Sequence, residues 1–182
     1  MMLEEKLIQI MKTYEYLMRD LRLVQGLGLS NWCIAAGYVR NYVWDYLQGY
    51  SVRTPLNDVD VIYFDASDLT EESEKRYESL LRKEVGGYNW SFKNQARMHI
   101  RNQEKPYMSI SDAMKRWPET VTAVGISLEG NEFKVTAPHG LDDLFSLVIR
   151  RSPYFTDKDH FYARIQSKNW LEYWPQLKIV EE

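Results

Sequence analysis

The sequence contains a single cysteine among its 182 residues, and this scarcity excludes two kinds of site. One thiol cannot form an internal disulfide, and it cannot build a thiolate metal cluster. Cys33 lies within the apolar run of residues 32–36, and a free cysteine in such a run usually packs as a small hydrophobe. We therefore expect Cys33 to be buried in a strand, because a catalytic thiol would need an activating partner that the sequence does not identify.

An excess of positive charge is also missing from the chain. It has 23 Lys and Arg residues against 26 Asp and Glu residues, which gives a formal net charge of −3. No global basic field therefore attracts the protein to nucleic acid or to an anionic membrane. Nucleic acid stays possible as a partner through a local patch, but the charge does not indicate it.

The third absence is that of long apolar runs and biased segments. No stretch approaches the length of a membrane span, and residues 1–6 are too charged to begin a signal peptide. We found no internal repeat, low-complexity tract or linker. With 45% hydrophobic and 27% charged residues, the sequence predicts a cytoplasmic protein without a membrane partner, folded as one α+β domain over residues 1–182.

The apolar residues follow two periodicities, which predict helices and strands. They recur at three- and four-residue intervals from Leu3 to Leu21, so we expect an N-terminal helix over about residues 3–25. Other helices are expected over residues 38–48 and 68–85, after Ser109 or Ser111, and at the C-terminus over residues 141–149 and 159–174. Strands are expected over residues 32–36, 58–64, 88–93, 121–128 and 132–137, with a loop over residues 95–108. Asp68 and Glu71 resemble a capping box that opens the helix over residues 68–85.

Two aspartates stand two positions apart where the predicted strand over residues 58–64 begins. Side chains alternate along a strand, so Asp58 and Asp60 share one face while Val59 and Val61 occupy the other. Two carboxylates on one face are costly to bury without a counter-charge, and a divalent cation such as Mg²⁺ removes that cost. The alternative is a solvated turn at the end of a loop, and the spacing alone does not choose between them.

Four short blocks of sequence occur in an order that a known family shares. They are residues 36–41 (AGYVRN), 56–61 (LNDVDV), 93–99 (KNQARMH) and 137–145 (APHGLDDLF). In these blocks the chain resembles an uncharacterised bacterial nucleotidyltransferase-like family of the polymerase-beta-like nucleotidyltransferase superfamily. The resemblance covers about residues 30–150, which we take as the core of the domain.

The resemblance implies a mixed central β-sheet with flanking helices, and transfer of a nucleotidyl group from a nucleoside triphosphate to an unknown acceptor. Asp58 and Asp60 would be the catalytic carboxylates and the ligands of Mg²⁺, and the triphosphate would lie near the turn at Gly37. A glycine allows close backbone approach, and the helix after it offers free amides to a phosphate. Arg40, one turn into that helix, either reaches a phosphate oxygen or is a solvated helix charge.

Two positions depart from the family pattern. Tyr38 stands where the superfamily usually has a second glycine or a serine, so its ring could narrow the phosphate pocket although its backbone amide remains available. Active members also carry a third carboxylate on the strand that matches residues 88–94, and this chain has no Asp or Glu there. Lys93 lies on the polar side of that strand, where its charge could replace a cation beside the aspartates.

A third carboxylate could arrive from elsewhere in the chain, with Asp65, Glu119, Asp142 and Asp143 as candidates. Strand geometry sends Asp65 to the wrong face, where it could cap the next turn. Asp142 and Asp143 precede an apolar segment, a position typical of helix-dipole partners. If none of these completes the site, the chain is a nucleotide-binding regulatory protein with weak or no catalysis, or a structural domain.

The polar segment after the strand over residues 88–93 supplies further binding candidates. Lys93 and Asn94 begin it, Arg97 offers a planar fork for phosphate, and His99 is a neutral donor or acceptor. The alternative is a hydrogen-bonded loop with a satisfied histidine. The full set of residues predicted to contact the nucleotide is Gly37, Tyr38, Arg40, Lys93, Asn94, Arg97 and His99.

Overall fold

A computed structural model describes residues 1–181. Its helices are α1 (Leu3–Lys12), α2 (Leu17–Gln25), α3 (Gly37–Leu47), α4 (Glu71–Glu84), α5 (Gln95–Asn102), α6 (Ile110–Met114), α7 (Asp142–Phe145), α8 (Lys158–Lys168) and α9 (Trp170–Tyr173). Its strands are β1 (Trp32–Ala35), β2 (Val59–Tyr63), β3 (Trp90–Asn94), β4 (Gly125–Glu129), β5 (Glu132–Thr136), β6 (Val148–Ile149) and β7 (Lys178–Ile179).

The first five strands form one mixed sheet in the order β3-β2-β1-β4-β5. The β2–β3 pair is parallel, whereas β1 pairs antiparallel with both β2 and β4, and β4 forms an antiparallel hairpin with β5. A separate parallel pair joins β6 and β7 near the C-terminus. The predicted α+β class, with a mixed central sheet and flanking helices, is therefore confirmed.

The two faces of the sheet have different surroundings, and this difference positions the site. Val61 of β2 and Phe92 of β3 point into the main hydrophobic core, which also contains α1, α2 and α3. Ile62 points to the opposite face, into a smaller cluster with Cys33 and Met114. By the same alternation, the even-numbered positions of β2 lie away from the main core, and Asp60 is one of them.

Three of the expected helices are shorter than predicted. The segment over residues 3–25 is two helices: the Thr13 hydroxyl donates to the Ile10 carbonyl oxygen at 2.6 Å, and the Tyr14 ring packs on Tyr38 and Tyr42. The helix expected over residues 141–149 ends at Phe145 and gives way to β6. The helix expected over residues 159–174 breaks at Asn169, whose φ is 54°.

The prediction of a loop over residues 95–108 was wrong for its first half, which is α5. The Asn94 side-chain oxygen accepts from the Ala96 amide, an ordinary N-cap contact. The capping box predicted at Asp68 and Glu71 is also shifted: Thr70 caps α4 by accepting from the Ser73 amide. Asp68 instead accepts hydrogen bonds from Thr70 and Ser73, which hold the turn before the helix.

Cys33 lies in β1 with 1% of its surface exposed, as expected. Burial raises the pKa of its thiol to about 12, so the thiolate that a nucleophile would need is not formed near neutral pH. Within residues 1–181, no helix is both long and apolar enough to cross a membrane.

Candidate functional site

The two aspartates lie at the edge of the sheet face that points away from the main core. Asp60 is in β2, between Ala35 of β1 and Ser91 of β3 in the strand register. Asp58 precedes the strand, is exposed, and accepts a hydrogen bond from the Asn89 side-chain amide. Both side chains line the same cleft, as the spacing predicted.

The negative charge of this pair is only partly compensated. Burial raises the pKa of Asp60, and the neighbouring charge of Asp58 raises it further. Arg40, Lys168 and Lys93 act in the opposite direction without cancelling the shift. A site with this imbalance favours binding of a cation.

A strained turn joins β1 to α3 beside the aspartates. Ala36, not Gly37, has the positive φ, with φ 55° and ψ −126°. The Ala36 amide donates to the Val124 carbonyl at 2.9 Å, and its own carbonyl accepts from Val39 and Arg40. Such a backbone conformation is costly unless its surroundings hold it, and it is frequent at ligand-binding turns. The turn directs the N-terminus of α3 toward the cleft.

Arg40 is a buried cation without a carboxylate at ion-pair distance among residues 1–181. Its Nη1 donates to the Thr122 hydroxyl at 2.8 Å, and its guanidinium stacks 4.4 Å from the Trp170 ring centroid. Burial lowers the pKa of Arg40 to about 10, and Arg164 lowers it further whereas Glu119 and Asp60 oppose the shift. The structure therefore excludes the alternative of a solvated helix charge, and the hydrogen bonds of the guanidinium go to the neutral side chains of Thr122 and Asn41.

Asp58, Asp60, Arg40 and the N-terminus of α3 surround a space of about 320 Å³, which we call the smaller cleft. Gly37 lines it, and the polar side chains of its wall are those of Arg40, Asn41, Thr54, Asn57, Asp58, Asp60, Thr122, Arg164, Lys168 and Tyr173. Sequence reasoning missed Arg164 and Lys168, which lie on α8. Their four-residue spacing places two cations on one helix face, and that signal was present in the sequence.

A buried polar network connects the cations of the smaller cleft. Glu119 accepts from Arg164 Nε at 2.7 Å and from the Thr122 hydroxyl at 2.8 Å. Thr122 in turn accepts from Arg40. Glu119 is fully buried and lines neither this cleft nor its neighbour. It therefore holds Arg164 in position and does not supply a third carboxylate to the cleft.

The other candidates for a third carboxylate are also engaged elsewhere. Asp65 accepts from the Ser67 amide and hydroxyl, the turn contact that strand geometry suggested. Asp143 accepts from the Thr120 hydroxyl at 2.8 Å, and Asp142 begins α7. Within residues 1–181, no group of three or more His, Cys, Asp or Glu side chains is placed to hold a metal. The side chain beside Asp60 on β3 is Ser91.

Tyr38 and Lys93, two of the predicted nucleotide contacts, have other partners in the structure. The Tyr38 ring is buried in the core and its hydroxyl donates to Asp20 at 2.7 Å, so it cannot narrow the cleft. Lys93 forms an ion pair with Glu74 at 3.8 Å, and no ion pair with Asp58 or Asp60 is found in the described part of the chain. Lys93 therefore does not replace a cation between the aspartates.

The remaining predicted contacts are structural or lie away from the aspartates. The Asn94 side chain is buried and makes hydrogen bonds to Asp65, Ala96 and Asp68. Arg97 donates to both carboxylate oxygens of Glu74, at 2.8 and 2.7 Å. His99 packs with its ring 6.2 Å from that of Tyr107 and lines neither cleft. Local sequence did not distinguish these groups from ligand contacts, because their partners come from other elements.

A second space adjoins the first, and we call it the larger cleft. Its volume is about 700 Å³, and it shares Ala36, Asp60, Thr122 and Arg164 with the smaller cleft. Ser91 and Lys93 of β3 form part of its floor, between α5 and α6 on one side and residues 154–160 on the other. Asp60 therefore lies where two binding spaces meet.

Comparison with known proteins identifies similar chains. Residues 22–179 match the protein family described as Nucleotidyltransferase. A solved NMR structure described as a CCA-adding enzyme head domain has 32% sequence identity and a TM-score of 0.82, with 98% of this chain and 96% of that chain covered. No curated protein matches the sequence.

Two larger solved structures have a similar fold at lower identity. A tRNA-processing enzyme in an apo form has 18% identity and a TM-score of 0.55, with 98% of this chain and 44% of that chain covered. A CCA-adding enzyme in complex with CTP has 18% identity and a TM-score of 0.52, with 82% of this chain and 36% of that chain covered. This chain thus spans less than half of either enzyme, and the likeness concerns the fold.

Proposed function

This chain belongs to a nucleotidyltransferase family, and we propose that it transfers a nucleotidyl group from a nucleoside triphosphate to an acceptor at the Asp58–Asp60 pair. The observation that carries the proposal is the smaller cleft, where an incompletely compensated carboxylate pair faces the buried, carboxylate-free cation Arg40. A metal–triphosphate complex provides the opposite charge to both groups.

The triphosphate is proposed to lie between the N-terminus of α3 and the basic face of α8. The first amides of a helix have no intrahelical acceptor and bind anions, and the helix dipole adds to this effect. Arg40 adds a desolvated guanidinium, while Arg164 and Lys168 face the same cleft from α8. Charge-assisted hydrogen bonds of this kind are among the stronger ones in proteins.

The residues present fit a Mg²⁺ ion. Mg²⁺ is typically bound by one or two carboxylates together with substrate phosphates and water, and Asp58 and Asp60 are the two carboxylates of the cleft. When bound, such an ion supplies neutralisation of the charge on the transferring phosphoryl group. The pKa of Asp60 is raised first by burial and then by the charge of Asp58, and a bound cation would oppose both effects.

In the proposed reaction the oxygen of an acceptor hydroxyl forms a bond to the α-phosphorus, the bond to pyrophosphate breaks, and the hydroxyl proton is released to solvent. Arg40 and Arg164 stabilise the negative charge of the phosphates, and Glu119 keeps Arg164 oriented through its 2.7 Å contact. Trp170 and Trp174 line the same cleft and limit the access of water.

A second function is favoured by one specific observation. Ser91 occupies the position beside Asp60 where an active site of this kind would carry a third carboxylate. The chain would then bind the nucleotide as a regulatory or sensory protein without appreciable turnover.

Calorimetry separates nucleotide binding from a purely structural role. We expect ATP, CTP, GTP or UTP to bind the wild type in the presence of Mg²⁺, with the CTP complex of a related fold making CTP the first choice. Affinity should fall by at least about 30-fold in Asp58→Asn/Asp60→Asn, because charge-assisted contacts contribute about 2 kcal/mol each. The proposal would be overturned if the affinity for the triphosphate were the same with and without Mg²⁺ and the same in the wild type and the double variant.

Release of pyrophosphate separates transfer from binding alone. Each triphosphate that binds is incubated with a panel of acceptors, and pyrophosphate is measured with the wild type and with Asp60→Asn. Asp60-dependent release supports the enzyme. Tight binding without release supports the regulatory alternative.

A further inference from the structure

We propose that the larger cleft is the acceptor site and that it takes a small, sugar-like polyhydroxylated molecule instead of a polynucleotide. This inference rests on the proposed function, because it assigns the second substrate of the same reaction. The larger cleft meets the smaller one at Asp60 and Arg164. An acceptor hydroxyl placed there would lie next to the carboxylate beside which the phosphates are proposed to bind.

The size of the larger cleft suits a small molecule. Its volume of about 700 Å³ falls in the range of about 300–1,000 Å³ that is usual for small-molecule sites. A hexose-sized or disaccharide-sized ligand would fill a substantial part of it.

Three cations of the larger cleft lie near carboxylates of the protein. Lys93 lies 3.8 Å from Glu74, and Arg164 lies 2.7 Å from Glu119. Arg116 lies 3.6 Å from Asp112. Binding of a polyanionic backbone depends on cations that can each contact a phosphate. Lys93 and Arg116 already lie near carboxylates, Arg164 is shared with the smaller cleft, where we assign it to the triphosphate, and Arg101 is an exposed cation of the larger cleft.

Carboxylates on the wall of the larger cleft also disfavour a polyanion. Asp157 is exposed and lines the cleft from the segment before α8. Glu104 lines it between α5 and α6, where it accepts from the Tyr107 hydroxyl and lies 4.0 Å from Arg116. Like charges would repel a phosphate that approached either group. A neutral hydroxyl can instead donate a hydrogen bond to a carboxylate, which is acceptor-only when ionised.

Aromatic side chains provide flat apolar surfaces beside these polar groups. Trp117 and Phe155 are partly buried and Tyr154 is half exposed, and all three line the larger cleft. Gln95 and Asn102 also line the cleft, and their amide nitrogens donate to the Lys93 carbonyl and the Tyr107 hydroxyl. A ring with apolar C–H faces and hydroxyls at its edge matches this combination of flat faces with amide and carboxylate groups.

Removing the charge of Glu104 distinguishes the two classes of acceptor. Binding of a sugar-like molecule should weaken in Glu104→Gln, whereas binding of a polynucleotide should tighten. Saturation-transfer NMR is run on the full chain with methyl glucoside, methyl galactoside, methyl mannoside and myo-inositol, with Mg²⁺ and a non-hydrolysable CTP analogue present. At least one of these probes should bind, and binding should weaken about 5–10-fold in Glu104→Gln and in Tyr154→Ala. Glu72→Gln, an exposed acid on α4, is the matched control and should leave binding unchanged.

A short RNA oligonucleotide ending in CCA is titrated in parallel. If no probe of the panel binds, or if the oligonucleotide binds and Glu104→Gln tightens it, the inference is overturned. Calorimetry of the CTP analogue on the same samples keeps the two proposals apart. Nucleotide binding without probe binding overturns the acceptor class alone, whereas probe binding without nucleotide binding supports the cleft and overturns the proposed function.

Discussion

The two clefts that meet at Asp60 differ in how their positive charges are balanced. In the smaller cleft, Arg40 is buried without a carboxylate at ion-pair distance among residues 1–181. In the larger cleft, Lys93 and Arg116 lie within 4 Å of acidic side chains. A buried unpaired charge is costly to a folded protein, so its presence points to a ligand that compensates it. A paired cation carries no such implication.

The same contrast separates two arginines that the sequence made equal candidates for a phosphate contact. Arg97 is held by both oxygens of Glu74, whereas Arg40 donates to neutral groups, Thr122 and Asn41. Arg97 is therefore part of a structural ion pair, and Arg40 is the arginine that we propose for the triphosphate. Replacing each by methionine tests whether the contrast holds.

The largest expected effect is on stability, in Arg97→Met. The substitution leaves the buried Glu74 carboxylate without its bidentate partner, and breaking a buried pair in this way costs about 3 kcal/mol or more. Denaturant unfolding should show this loss in the free energy of unfolding. Calorimetry should show an unchanged affinity for the Mg²⁺–triphosphate complex. A weakened affinity would indicate that Arg97 contacts the nucleotide.

Arg40→Met should weaken nucleotide binding without lowering the stability of the fold. Affinity for the Mg²⁺–triphosphate complex should fall about 30-fold, or about 2 kcal/mol, because a charge-assisted contact in a desolvated site is lost. The thermal midpoint should stay the same or rise, because methionine removes an unpaired buried charge. A variant that unfolds more easily and still binds the nucleotide would show that Arg40 is structural.

A smaller effect is expected for Asp60→Asn, and it depends on pH. The pKa of Asp60 is raised in the folded state, so folding stabilises its protonated form. This contribution to the free energy of unfolding is lost as the pH rises through the folded-state pKa. The variant should therefore match the wild type in acid and be more stable near pH 7. Thermal midpoints measured in steps from pH 4 to pH 7 check this sign, and equal midpoints throughout would contradict it.

Lys168→Met should have the smallest effect of the series. Its ammonium is exposed on α8, so it acts on the triphosphate through screened electrostatics. We expect affinity to fall about threefold at low salt and the difference to vanish at high salt. Arg101→Met, an exposed cation of the larger cleft, is the matched control and should leave nucleotide affinity unchanged.

Sequence reasoning predicted the parts of the site that local pattern encodes. Asp58 and Asp60 share a cleft with the Gly37 turn, as their spacing and order indicated. The four-residue spacing of Arg164 and Lys168 was visible in the sequence, but the position of α8 beside the cleft depends on tertiary packing, and for that reason both were missed. The network of Glu119 with Arg164 depends on the same packing.

The errors in secondary structure have a similar origin. The five strands of the main sheet occur within a few residues of their predicted positions, because apolar and β-branched runs, alternation and turn residues are local properties. The helix breaks at Thr13 and Asn169 depend on side-chain and backbone contacts that periodicity does not contain. The helix α5 was predictable in principle, since Asn94 supplies its cap and helix-forming residues follow.

The most direct test of the central claim is a crystal structure of the full chain with Mg²⁺ and a non-hydrolysable CTP analogue. The account predicts the triphosphate in the smaller cleft, with a phosphate oxygen at hydrogen-bond distance from the Arg40 guanidinium and with Asp58 and Asp60 at the metal. A triphosphate bound in the larger cleft, with Arg40 still contacting only the protein, would contradict it.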